Sequence, residues 1–337
     1  MAHFTIAVLD WALASSVAVT LDALRAAERI AQTLGRQTHG WRVVGSGATV
    51  SLSNGLSVPA EPLGEETDFG ASVVVVPGLG LDHPALAEVS EGGARRYDMA
   101  VVARRVELPD ARLLADRLRA HGAAGGRAAA SCSGVLVLGE AGLLDGRTAT
   151  THWRLSGLLQ QRYPACRADV SQMVVRDGNI VTAGAAMAQM DLMLHLIGEA
   201  YGREVADLVA RYLLLDGRPS QSCYMAWSHL QSTDDTVKKL ERLVETSLPE
   251  VPPLAALADT LHVSEKTLAR RVQRATGQTP GAVIQSVRLR HARHLLETTR
   301  LPIAEVASRV GYADATALRK LTLKTLHLAP GQLRGRR

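Results

Sequence analysis

The chain has 337 residues, 47% hydrophobic, 21% charged and 4% aromatic, with a formal net charge of +5, which excludes collagen-like, low-complexity and wholly disordered polypeptides. That length accommodates two domains, each large enough for its own core. Three cysteines, Cys132, Cys166 and Cys223, make neither a complete disulfide framework nor a metal-ligand cluster, which points to a reducing compartment.

Met1 to Asp10 has no basic leader and no small-residue cleavage site, so no signal peptide is expected. The most apolar segments, residues 72–81 and 185–198, are too short to cross ~30 Å of hydrocarbon, and the expectation is a cytoplasmic protein with no membrane partner. Phe4 to Leu9 is an apolar run of β-formers. A helical pattern follows from Leu13 to Leu34, with Val17, Leu21, Leu24 and Ile30 on one face. Trp41 to Val44, Ser72 to Val76 and Arg127 to Ser131 read as further buried strands, with a helix from Pro109 to His121 between two of them. Asp177-Gly178 suits a hairpin turn between two antiparallel strands. Strands alternating with helices predict an α/β domain with an open, mostly parallel sheet flanked by helices.

In such sheets ligands collect at the carboxyl ends of strands, which singles out Asp10, the turn containing Gly78 and Leu79, and Ser131-Cys132-Ser133-Gly134. A cysteine between a buried strand and a helix starting near Ser133 has the geometry of a nucleophile elbow, where a helix N-terminus favours thiolate. Met187, Met190 and Met193 read as core filling, and His195 as a partly buried polar residue. Asp191 either pairs inside the domain or selects a cationic metabolite. Gly78 to Gly80 lacks a Walker lysine and a dinucleotide-binding context, so no nucleotide, cofactor or metal is expected.

Charge divides the chain. Residues 1–233 hold 20 Arg, no Lys and 23 Asp and Glu, a net −3; residues 234–337 hold 18 Lys and Arg against 10 Asp and Glu, a net +8. A basic module beside a slightly acidic one suggests polyanion binding by the former, because clustered cations release phosphate counterions. The expected division is a sensing domain over 1–215, a linker over 216–233 and a DNA-binding domain over 234–337.

Within the basic part, Leu254, Leu257, Ala258 and Leu261 mark a short helix entered through Pro252-Pro253. His262-Val263 makes a turn and Ser264 caps a second helix with Leu268 and Val272 inward. Lys266, Arg270, Arg271 and Arg274 are expected outward, and Gly277 stops the helix. An amphipathic helix from Pro280 to about Glu297 leads to a repeat of the same grammar. Pro302 opens a helix with Ile303, Val306 and Ala307 inward, Gly311 turns, Tyr312 packs beneath, and Asp314 to Lys324 exposes Arg319, Lys320 and Lys324.

These residues resemble the AraC/XylS family of transcription regulators over about 100 residues: LADTLHVSEKTLARRVQRATGQTP, then RLRHARHLLETTRLPIAEVASRVGY, then HLAPGQLR. The resemblance implies two helix-turn-helix units whose second helices enter successive major grooves. Contacts to DNA would fall on Lys266, Thr267, Arg270, Arg271 and Arg274 in the first unit and on Thr316, Arg319, Lys320 and Lys324 in the second. Arg270 is placed to read guanine and the last three to grip phosphates. The second unit departs from the family pattern at Thr322, Leu323 and His327, where a core phenylalanine, a basic residue and a glycine are usual.

The segment SCSGVLVLGEAGLLDGRTATTHW resembles the PfpI-like branch of the class I glutamine amidotransferase superfamily, in which a histidine twenty residues after the cysteine can join it; here that is His152. The related enzymes take a carboxylate from the helix after the first strand, but Trp11 to Ser16 supplies none. Together the two resemblances match GlxA-like regulators. They imply a homodimeric transcription regulator, more often an activator, working with RNA polymerase on an operator and answering an amino acid or quaternary amine held near Asp10, Gly78, Leu79, Cys132, Ser133, His152 and Asp191. The rival is a hydrolase, hydratase or deglycase using Cys132. A third reading is a nucleoid binder without sequence preference.

Overall fold

The computed structural model describes residues 3–86, 99–215, 220–221, 225, 235–326 and 328–334. The chain forms two compact units, residues 1–217 and 218–337; most of the expected linker 216–233, with Cys223, and also His327, lie outside the described residues.

Unit 1 begins with β1 (Phe4–Val8) and α1 (Ala14–Thr33), then β2 (Trp41–Gly45), a small hairpin of β3 (Thr49–Ser51) and β4 (Ser57–Pro59), β5 (Glu61–Pro62) and β6 (Val73–Val76). It continues through α2 (Met99–Arg105), α3 (Pro109–Ala123), β7 (Arg127–Ser131), α4 (Val135–Glu140), β8 (Thr148–Ala149), α5 (Ser156–Arg162) and β9 (Arg167–Ala168). The unit closes with β10 (Val174–Asp177), β11 (Ile180–Ala183), α6 (Ala188–Tyr201) and α7 (Arg203–Tyr212). Seven strands make one sheet in the order β10-β11-β7-β6-β1-β2-β5. Every pairing in it is parallel except β10 with β11, which are antiparallel as expected but turn through Gly178-Asn179, one residue later than Asp177-Gly178, because Asp177 still pairs with Ile180 and Gly178 takes the positive φ of 61°.

Alternation along each strand supplies two cores. Phe4, Ile6, Val8, Val73 and Val75 face α1, α6 and α7, whereas Ala7, Val74, Val76, Ala128 and Ala130 face α3, α4 and α5. Both faces are therefore buried, which is why the strands read as unbroken apolar runs. Met190 and Met193 fill the first core as expected, but Met187 is 53% exposed. It stands one residue ahead of α6, at the cap, so the helical period that buries the other two does not include it.

Unit 2 is helical: α8 (Asp235–Thr246), α9 (Leu254–Thr260), α10 (Glu265–Thr276), α11 (Pro280–Thr298), α12 (Ile303–Arg309), α13 (Ala315–Leu326) and α14 (Pro330–Arg334). The local chemistry matches the geometry. Ser264 Oγ accepts the Thr267 amide at 3.2 Å, Gly277 takes the left-handed conformation, Thr279 caps α11 and Asp314 Oδ1 accepts the Ala317 amide at 2.8 Å. Leu289, Ala292 and Leu296 of α11 pack with Val306, Ala307, Leu318 and Leu326 beneath the second helix pair. The wholly buried Thr322 occupies the position of the usual core aromatic and donates its hydroxyl to Arg319 O at 3.1 Å.

No described helix is long and apolar enough to cross a membrane.

Candidate functional site

In unit 1 the chain leaves β7 through a 3-10 turn, Cys132–Gly134, into α4. Cys132 sits at φ 52°, a left-handed conformation that non-glycine residues hold only when their surroundings impose it. Here its amide donates to Gly184 O at 2.8 Å and its carbonyl accepts from Thr151 Oγ1 at 2.6 Å. Gly134 is required because a Cβ there would lie 2.5 Å from Pro77 O. Ser133 Oγ accepts the Leu79 amide at 2.8 Å and donates to Leu79 O at 3.0 Å, fastening the loop after β6 to the elbow. The loop after β1 is equally tight: Trp11 has φ 58°, and a Cβ on Gly80 would meet Trp11 O at 1.7 Å.

These strand ends enclose a cavity of about 250 Å³. Leu13, Leu79, Leu81, Met99, Val102 and Leu155 supply most of its apolar wall; Ser53, Asp82, Cys132, Ser133, His152 and Arg154 supply its polar groups. Of the residues expected near a ligand, Leu79, Cys132, Ser133 and His152 meet on this wall. Gly78 stands just behind it, its position leaving only 3.4 Å from a Cβ to the Cys132 Cβ. Asp10 and Asp191 are not among the lining residues. Asp191 lies in the first turn of α6, and the Asp10 carbonyl is held by Arg105 Nη2 at 2.7 Å.

Arg105 was not foreseen. It is wholly buried at the end of α2, and its guanidinium also grips Asp110 Oδ1 and Oδ2 at 2.9 and 2.8 Å. Arg154, Met99, Val102 and Asp82 also escaped the sequence reading. The one local signal was an arginine two residues beyond His152.

The electrostatics differ from the expected thiolate. Burial pushes the Cys132 thiol above its ordinary value, outweighing the Ser133 hydrogen bonds that lower it. His152 is pushed down to about 4, first by burial and then by the Arg154 charge. Its Nδ1 accepts the Arg154 amide at 3.1 Å, so the neutral ring carries its proton on Nε2. A ring in that state donates and takes no proton from a thiol. The first turn of α1 contains no acid, and Ser16 there donates to Ala186 O at 3.3 Å. What the cavity assembles is a largely apolar wall interrupted by a few polar groups.

In unit 2, Lys266, Arg270 and Arg274 are exposed along α10, and Thr316, Arg319, Lys320 and Lys324 along α13. Thr267 is half-buried, its Oγ1 bonded to Ser264 Oγ at 3.0 Å. Arg271 does not project outward as expected: it is half-buried and donates to Thr236 Oγ1 at 2.9 Å. It lies three residues after the inward Leu268 and next to the inward Val272, and α8 covers that side of α10. The sequence reading had not placed α8. Arg290 of α11 ties it further, donating to the wholly buried Glu241 at 2.8 Å and pairing with Glu245. Leu323, at a position where the family usually has a basic residue, is 42% exposed. Among the described residues no group of three His, Cys, Asp or Glu is placed to hold a metal.

Comparison with known proteins matches residues 257–336 to a helix-turn-helix domain family and residues 93–199 to the DJ-1/PfpI family. The HTH-type transcriptional regulator GbdR of Pseudomonas aeruginosa is 26% identical over 303 residues, covering 89% of this chain and 75% of that protein. Protein DJ-1alpha of Drosophila melanogaster is 31% identical over 159 residues, 46% of this chain and 69% of that one. The isonitrile hydratase of Pseudomonas putida is 43% identical over 95 residues, 28% of this chain and 40% of the enzyme.

Proposed function

Because this chain belongs to the helix-turn-helix regulators of AraC type that carry an N-terminal DJ-1/PfpI domain, we propose that it controls transcription by holding a small effector in the cavity beside Cys132 and binding an operator through α10 and α13. The observation that carries the DNA half is the pair of exposed cationic faces, Lys266-Arg270-Arg274 and Arg319-Lys320-Lys324, on helices positioned by a common strut, α11. A guanidinium on an exposed helix can make paired bonds to guanine O6 and N7, which assigns Arg270 to base reading and the second set to phosphates.

Ligand and DNA are linked by populations: an effector alters transcription only through different affinities for DNA-competent and incompetent arrangements. Homodimerisation through unit 1, contact with RNA polymerase, activation rather than repression, a boundary near 216–233 and a cytoplasmic location complete the proposal by analogy with the family. Enzyme chemistry at Cys132 has one feature in its favour, the strained elbow; the raised thiol, the Nε2-protonated His152 and the acid-free first turn of α1 weigh against it.

The test is a duplex selected by the full chain from a random-sequence pool. Arg270→Ala should reduce preference for it over scrambled competitor by about 1–3 kcal/mol, while Cys132→Ala leaves that preference intact. Equal affinity of the unaltered protein for all duplexes would overturn the reading.

A further inference from the structure

Resting on the reading of α13 as a DNA-binding helix, we propose that Leu323 reads sequence by packing on the C5-methyl group of a thymine in the major groove. The exposed side chains of α13 form one stripe, Thr316, Arg319, Lys320, Leu323 and Lys324. At about 3.6 residues per turn, Leu323 stands within roughly 20° of Thr316 around the helix axis, with Arg319 on one side of it and Lys320 and Lys324 on the other. The leucine is thus the middle of the face and the cations are its flanks. A helix laid in a groove turns its middle to the base edges and its flanks to the phosphates of the two strands. The apolar group that those edges offer is the thymine methyl, which is what a leucine can cover.

Packing inside unit 2 does not account for this side chain. Leu318, Leu321 and Leu326 of the same helix join the core beneath the second helix pair, whereas Leu323 lies outside that cluster. At 42% exposure it is the one large apolar side chain left exposed among the described residues of unit 2. Ser264 and Asp314 cap the two reading helices in the same way, each accepting the amide three residues on. Nine residues beyond those caps stand Gln273 and Leu323, and the Gln273 amide nitrogen donates to Gly277 O at 3.0 Å. The helices therefore present different chemistry at one equivalent place, so the operator requires the thymine under α13 and not under α10.

The test uses the full chain and the duplex it selects from the random-sequence pool, with each thymidine replaced singly by deoxyuridine, which removes the methyl group and keeps the pairing. One replacement should weaken binding roughly three- to fivefold. Leu323→Ala should weaken binding of the unmodified duplex by a similar factor and be indifferent to that one replacement. Its salt slope should stay unchanged, because no phosphate contact is lost. Leu323→Met, which keeps an apolar side chain at the same place, should retain the sensitivity. Indifference of the unaltered protein to every replacement, penalties that all persist in Leu323→Ala, or a shallower salt slope in that variant overturns the inference. A chain that selects a duplex yet gives any of these results defeats the thymine assignment alone, whereas one that selects no duplex defeats the regulator reading and the assignment with it.

Discussion

Arg105 reaches the carbonyl oxygen of Asp10 at 2.7 Å across 95 residues of chain, while holding Asp110 with the same guanidinium. That bond fastens α2, which supplies Met99 and Val102 to the cavity wall, to the loop at the end of β1. Arg105→Met should destabilise unit 1 by about 3–5 kcal/mol, because it leaves a part-buried carboxylate and a carbonyl without their donor. Arg105→Lys should recover only part of the loss, since an ammonium cannot reproduce the fork. Urea unfolding followed by tryptophan fluorescence measures both; a loss below about 0.5 kcal/mol for the Met variant would refute the clamp.

His152 predicts a pH dependence. Its folded value of about 4 lies below the ordinary 6.5. Between those values the unfolded chain therefore binds more protons, so stability falls as pH drops through the window and levels off below it. The His152 contribution should be of order 1–3 kcal/mol. His3, His83 and His291 are also held low, so the relevant quantity is the difference between the native protein and His152→Asn, measured near pH 7 and near pH 4.5. Parallel stability curves for the two proteins would contradict the assignment.

Gly80→Ala places a methyl group 1.7 Å from Trp11 O, a clash with backbone that no rotamer relieves. We expect a loss of about 2–4 kcal/mol or failure to fold. Gly64, where an added Cβ meets nothing within 4 Å, is the control, and Gly64→Ala should stay within about 0.5 kcal/mol. Similar melting temperatures for the two would refute the close packing of the β1 and β6 exit loops.

On DNA, Arg270→Ala should cost about 1–3 kcal/mol and relax preference at one base position, whereas Lys320→Ala should weaken all sequences alike and lower the salt slope by about one. Titrations at several salt concentrations separate the two. An unchanged slope for Lys320→Ala would remove it from the phosphate set.

Glu241, wholly buried and bonded to Arg290, anchors α8. Glu241→Ala should destabilise unit 2 by about 3 kcal/mol, chiefly by leaving the arginine under-compensated. Arg290 keeps Glu245, so the double replacement of both glutamates should cost more than Glu241→Ala alone. No added cost in the double variant would show that Glu245 contributes nothing to the brace.

Features set by adjacent residues were legible in advance: the capped start of α10 at Ser264, a hairpin at Gly178 to within one residue, the valine run of β6 and the turn at Cys132. Each rests on local torsions or a two-residue period. Features set by distant partners were not. Arg105 looks like a surface arginine until its bond to Asp10 is seen, and Arg271 is directed inward by a helix about thirty residues earlier. The elbow was recognisable, but the thiol's protonation depends on packing around the sulfur, which no motif specifies. Asp10 and Asp191 sat at strand and helix ends where ligands gather, yet the side chains that build the wall come from other turns.

The brace between α8 and α11 also gives the two DNA-facing helices a support in common. Glu241 and Glu245 key α8 to Arg290 on the strut between those helices, Thr236 keys it to the first of them, and the Met225 carbonyl ahead of α8 meets the same arginine. A single guanidinium thus gathers three acceptors from the chain that precedes the first reading helix, so its loss would loosen every one of those tethers at once.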